Sequence, residues 1–107
     1  MSKNQYSRNL AVEEEAEDGD IIRVSAGSDP QGVAASISNA FYDRSSVTMR
    51  AVGASAVNQA VKAIAIARGY IAPKGHDLVC RPGFINIPSY GDDTSTISAI
   101  VFRLSLE

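Results

Sequence analysis

Apolar and polar residues recur along this chain with two periods, and the longest regular stretch is Gly53 to Gly75, GASAVNQAVKAIAIARGYIAPKG. Stepping about 100° per residue from Val57 puts Val61, Ile64, Ala65 and Ala60 on one face, with Ala56, Ala63 and Ala67 beside them. Asn58, Gln59 and Lys62 take the remaining sector, with Ile66 among them. An apolar arc wider than half the circumference predicts a helix buried by more than one neighbour, from about Ser55 to Gly69, with Val57, Val61 and Ile64 turned to the core. Arg68 stands in its last turn, where a cation complements the helix dipole, and Pro73 and Gly75 stop it restarting.

The other elements follow in order. Ile21 to Ala26 alternates, with Ile22, Val24 and Ala26 opposite Arg23 and Ser25, the period of a half-buried strand. Asp29 as cap and Pro30 at the first helical position open a helix running to about Asp43, and Ser28 with Gln31 offers an alternative capping box. Val33, Ile37, Ala40 and Phe41 form its apolar stripe. Val47 to Val52 is a second strand with Val47, Met49 and Ala51 on one side. Asp77 to Arg81 is a third, broken or bulged at Pro82 and Gly83 and continued over Phe84 to Ile87. Pro88, Gly91, Asp92 and Asp93 mark a hairpin, and Ile97 to Leu106 is the last strand. The order βαβαββ predicts an α/β (α+β) fold. Right-handed crossovers place both helices on one face of a four-stranded mixed sheet.

Charge divides the chain in two. Residues 1–20 hold Lys3 and Arg8 against six acids, a net of 2 − 6 = −4, and residues 21–107 hold eight cations against six acids, a net of +2. The run EEEAED has no apolar periodicity with which to offset ordering entropy, so residues 1–20 read as an acidic disordered tail before a single domain at 21–107. A metal site and an autoinhibitory arm that mimics nucleic acid are the other readings of that run. No apolar run reaches a bilayer-spanning length and MSKNQYSRNL has no apolar signal core, so a cytoplasmic protein without membrane contact is expected. The one cysteine, Cys80, reads as a small buried apolar residue.

Two parallel first strands would set the turns Ser25-Ala26-Gly27-Ser28 and Gly53-Ala54-Ser55 side by side. Each opens a helix N-terminus, where backbone amides attract anions. Arg23, Arg50 and Lys62 are the cations nearest in sequence, and the alternative is a pair of ordinary βα turns kept small for packing. Enzyme readings lack parts. His76 is the only histidine, so no several-histidine metal site exists, and neither phosphate-binding glycine motif occurs. No catalytic residue, metal or cofactor is expected. Ile66 on the polar sector and the two-sided apolar content of Ile97 to Leu106, including Ile100 and Phe102, suggest a homodimer surface.

GASAVNQAVKAIAIARGYIAP followed by Asp77, Leu78, Val79 and Cys80 resembles the bacterial stage V sporulation protein S (SpoVS) family of small Alba-like proteins. The likeness continues through Val24, Ser25 and Ala26 with Pro30 and Val33, and covers most of Ile21 to Leu106. It implies an Alba-like fold, a dimer, nucleic-acid binding (DNA or RNA) and a regulatory role in sporulation or a similar developmental process. The binding places it implies are Gly27 and Ser28, Arg50 to Ser55, and the hairpin Ser89 to Ser95. The candidate contacts are therefore Arg23, Ser25, Ser28, Arg50, Ser55, Asn58, Lys62 and Tyr90, the last by stacking. Three departures from the pattern subtract positive charge. Gly27 stands where the family typically has lysine, Val52 and Ala54 stand where archaeal Alba has arginines, and the hairpin carries Asp92 and Asp93. A dimeric protein-interaction module with little nucleic-acid affinity is the alternative.

Overall fold

The computed structural model describes residues 21–89 and 92–107, with the side chains of residues 92–94 outside the description. The acidic leader at 1–20 and Tyr90 fall outside it as well. Strand β1 (Ile21–Val24), helix α1 (Pro30–Ala40), strand β2 (Ser46–Ala51), helix α2 (Ala54–Ile71), strand β3 (Leu78–Ser89) and strand β4 (Asp92–Leu106) follow in order, with a 3-10 turn at Ala72–Lys74 after α2. The sheet order is β1-β2-β4-β3. The β1/β2 pair is parallel and the other two pairs are antiparallel, which makes the expected four-stranded mixed sheet with two helices.

The main core lies between sheet and helices. Val24, Met49, Phe102 and Leu104 from the sheet meet Ala34 and Ile37 of α1 and Ala56, Ala60, Ala63, Ala67 and Ile71 of α2. Val47, Met49 and Ala51 all face it as their alternation predicts. Asp29 caps α1, accepting hydrogen bonds from the backbone N–H groups of Gln31 and Gly32 at 3.4 and 3.3 Å, so the single-residue cap holds rather than the capping box.

Helix α2 corrects the expected burial. Ala60, Ala63 and Ala67 are fully buried while Val61 is 52% exposed, so the buried arc is rotated by roughly 80° from the one centred on Val57. Alanines let the helix lie close to its neighbours, and the packing they allow outweighs the larger hydrophobicity of valine on the far side. The helix also runs past Gly69 to Ile71, which is 2% exposed and anchors the extra turn. The chain then leaves through Gly75 in the left-handed region, φ +88°.

Other details of the elements also differ from expectation, at β1 and α1 for local reasons and at β3 and β4 through the sheet. β1 stops at Val24 because the Ser25 N–H donates to Ser28 Oγ at 2.9 Å, out of the ladder. α1 stops at Ala40 and leaves through tight turns, the Tyr42 N–H donating to Asn39 O at 3.1 Å. β3 is neither broken nor bulged at Pro82 and Gly83, which pair with Phe102 and Val101; the irregularity falls at Pro88/Ser89. An edge strand tolerates proline because one side of it has no ladder to complete. β4 starts at Asp92 rather than Ile97 because it pairs with the continuous β3 along its whole length.

Candidate nucleic-acid interface

The parallel β1/β2 pairing sets Arg23 beside Arg50 and Val24 beside Ala51, so both strands end together and their two βα turns are neighbours. The first turn is tied internally. Ser28 N–H donates to Ser25 O at 3.1 Å, and the two hydroxyls lie 3.2 Å apart. The second turn is Gly53, at φ +91°, and it caps α2 with no side-chain hydrogen bond. A side chain would be strained at that φ, and its absence leaves the first α2 amides uncapped by any side chain. Gln59 joins the turns, its side-chain amide donating to the Ser28 carbonyl at 2.8 Å. Between them lies an open dent of about 410 Å³ lined by Ala26, Ala54, Ser55, Asn58 and Gln59.

The expected binding residues therefore fall into groups. Ser25, Ser28, Ser55 and Asn58 gather around the dent. Arg23 and Arg50 pair with each other but alternate with Val24, Met49 and Ala51, so they stand on the sheet face turned away from the helices. Lys62 is exposed on α2, in the helical layer, and does not share a face with the arginines. Tyr90 lies outside the described residues. For the dimer surface, Ile66 and Ile100 are partly buried against the main core and Phe102 is 4% exposed within it. One exposed apolar stripe on α2 is instead Val61, flanked by half-buried Val57 and Ile64 and exposed Ala65; Tyr42, Val52, Tyr70 and Phe84 are exposed elsewhere.

The face away from the helices carries more charge than the sequence suggested. Arg81 pairs across the sheet with Arg103, and both alternate with core-facing Cys80, Phe102 and Leu104. Four of the eight cations in residues 21–107, Arg23, Arg50, Arg81 and Arg103, thus share this face. A smaller apolar cluster of Ile85, Ala99 and Val101 lies on it too. Gln59 and the Arg81–Arg103 pair were not among the expected site residues. Alternation gives Arg103 its face, but the register that matches it to Arg81 is set by the hairpin.

Among the described residues no group of three or more His, Cys, Asp or Glu that could hold a metal ion gathers, and His76 is an exposed loop residue. Cys80 is half-buried, and desolvation raises its thiol pKa. Arg68 pairs with Asp77 at 2.9 Å, but both side chains are more than half exposed, so that pair adds little. No helix among the described residues is long and apolar enough to cross a membrane.

This arrangement of strands and helices is an Alba-like fold. Alba from Thermoplasma volcanium is similar in structure at TM-score 0.56 and 20% sequence identity, over 79% of this chain and 98% of that one. Residues 20–104 match the Stage V sporulation protein S (SpoVS) family, and the chain belongs to that family. Membership supports a sporulation-related role.

Proposed function

We propose that this chain is a non-enzymatic, nucleic-acid-binding regulator of sporulation or a similar bacterial developmental process, acting in the cytoplasm as a homodimer. The observation that carries the reading is the Arg23–Arg50 pair at the shared end of two parallel strands, next to two βα turns. Two cations placed directly across a pair of strands raise the local positive potential, and that potential attracts a phosphate backbone. Arg23 and Arg50 neutralise phosphates, and Ser25, Ser28, Ser55 and Asn58 offer neutral donors around the dent. Lys62 adds a longer-range cation and Tyr90 a stacking surface. With a net charge of only +2 over residues 21–107, binding is weak and falls steeply with salt.

The test is a gel shift at several salt concentrations with DNA and RNA, single-stranded and duplex. It compares the full chain with a variant carrying Glu13→Gln, Glu14→Gln, Glu15→Gln and Glu17→Gln. The four changes move the formal net charge from −2 to −2 + 4 = +2, and the variant is expected to bind more tightly to every probe. No shift by either protein at low salt overturns the reading. The exposed Val61 stripe favours a second one, a dimeric protein-interaction module on the same fold.

A further inference from the structure

We propose that the sheet face turned away from the helices holds a pocket for a small ligand ending in a phosphate monoester, gripped by Arg81 and Arg103. A cavity of about 470 Å³ opens there, and both guanidinium-bearing residues line it together with Ser45, Ser46 and Ser105. Sheet register explains why it exists. Arg81 lies opposite Arg103, Gly83 opposite Val101, and Ser46 opposite Ser105. Gly83 contributes no side chain and the serines contribute short ones, so the two long arginines rise beside a depression rather than a filled surface.

The chemistry selects the ligand. Cross-strand partners hold their Cβ atoms about 4.5–5.5 Å apart, so the two cations reach one site. A phosphate monoester brings close to two negative charges and three terminal oxygens, matching two forked guanidinium groups plus serine hydroxyls. A carboxylate carries one charge, and a phosphodiester, with one charge and two bridging esters, fits a convergent pair less well. The volume falls within the ~300–1,000 Å³ usual for small-molecule sites. It therefore has room for a nucleotide-sized body beyond the phosphate, with Val101 and Pro82 as its apolar wall. This pocket is separate from the dent between the βα turns, and nothing in it depends on polynucleotide binding.

The experiment is calorimetric titration of the full chain with adenosine monophosphate, adenosine and inorganic phosphate. Adenosine monophosphate is expected to bind saturably, inorganic phosphate to compete with it, and adenosine to give no signal. Arg81→Gln and Arg103→Gln should each weaken binding about ten- to a hundred-fold, the range for removing charge-assisted hydrogen bonds. Arg68→Gln, an equal change of charge on α2, should leave it unchanged. Amide chemical-shift mapping on the unmutated protein keeps the test decisive if a variant misfolds, since shifts should centre on Ser46, Arg81, Gly83 and Ser105. The proposal is overturned by equal affinity for adenosine, by unaltered binding in Arg81→Gln, by an equal loss in Arg68→Gln, by shifts centred elsewhere, or by no binding at all. The titration contains no polynucleotide, so its failure and a failed gel shift are distinguishable.

Discussion

The side-chain amide of Gln59 in α2 donates a 2.8 Å hydrogen bond to the backbone carbonyl of Ser28, thirty-one residues earlier in the chain. That one bond fixes the first βα turn against the helix opened by the second. It holds the rim of the dent in which Ser55 and Asn58 stand.

Gln59→Ala should remove it. A partly buried neutral hydrogen bond contributes about 0.5–1.5 kcal/mol, so urea denaturation should show stability lowered by that amount with an unchanged slope. Amide exchange should quicken at Ser25 to Ser28 and stay constant in β4. A variant as stable as the parent, with unaltered exchange, shows that the turn is held by its own serines.

The alanine face of α2 gives a second prediction. Ala63→Leu places extra methylenes where the structure has no exposed surface and should cost about 1–3 kcal/mol. Val61→Ser, at a position 52% exposed in the single chain, should change stability by no more than about 0.5 kcal/mol when measured at protein concentrations too low for self-association. Thermal or chemical denaturation reads both, and the reverse order restores the burial expected from the hydrophobic pattern alone.

Arg23→Gln and Arg50→Gln test the paired arginines. Removing one cation from a phosphate lowers the slope of log affinity against log salt by roughly one and weakens binding to all sequences alike. The double variant should lower it by roughly two. A slope that stays constant while affinity falls shows that these arginines do not touch phosphates.

Sedimentation resolves the dimer surface. Val61→Glu puts a charge into the exposed stripe of α2 and should convert a dimer to monomer, whereas Ile66→Asp, at a partly buried position packed on the core, should mainly lower stability. Dissociation by Ile66→Asp with a normal melting temperature moves the interface to the other side of the helix.

Cys80 gives the pH dependence. Desolvation raises its pKa above the ordinary thiol value, so the fold favours the neutral form. Its contribution is whole below the unfolded thiol pKa and is lost as pH rises through the folded one. Wild type should therefore lose stability relative to Cys80→Ala on going from neutral pH to about pH 10. A constant difference between the two proteins shows that the thiol binds its proton equally well folded and unfolded, so that burial does not shift it.

How much of this was legible in the sequence depends on whether the deciding interaction is local. Asp29 and Pro30 announce the α1 start because capping involves residues two and three places on, and Val47, Met49 and Ala51 reveal their face because one side of β2 is buried. Val61 misleads because side-chain hydrophobicity ranks valine above alanine, while close helix packing rewards the smaller residue. Pro82 and Gly83 suggest a break because strand position in the sheet is invisible from the chain, and on an edge neither residue interrupts pairing. The Gln59–Ser28 and Arg81–Arg103 relationships depend on tertiary placement and strand register, so no local pattern encodes them.

The twelve-residue β3 forms one margin of the sheet, a length at which an unguarded border recruits strands from other molecules. Pro82 and Pro88 lie at positions of equal parity along it, so the same flank twice lacks an amide donor. A neighbouring chain adding there would meet two gaps in its ladder. Extension of the sheet past β3 is therefore disfavoured, and replacing both prolines with residues such as valine would remove that guard from this edge.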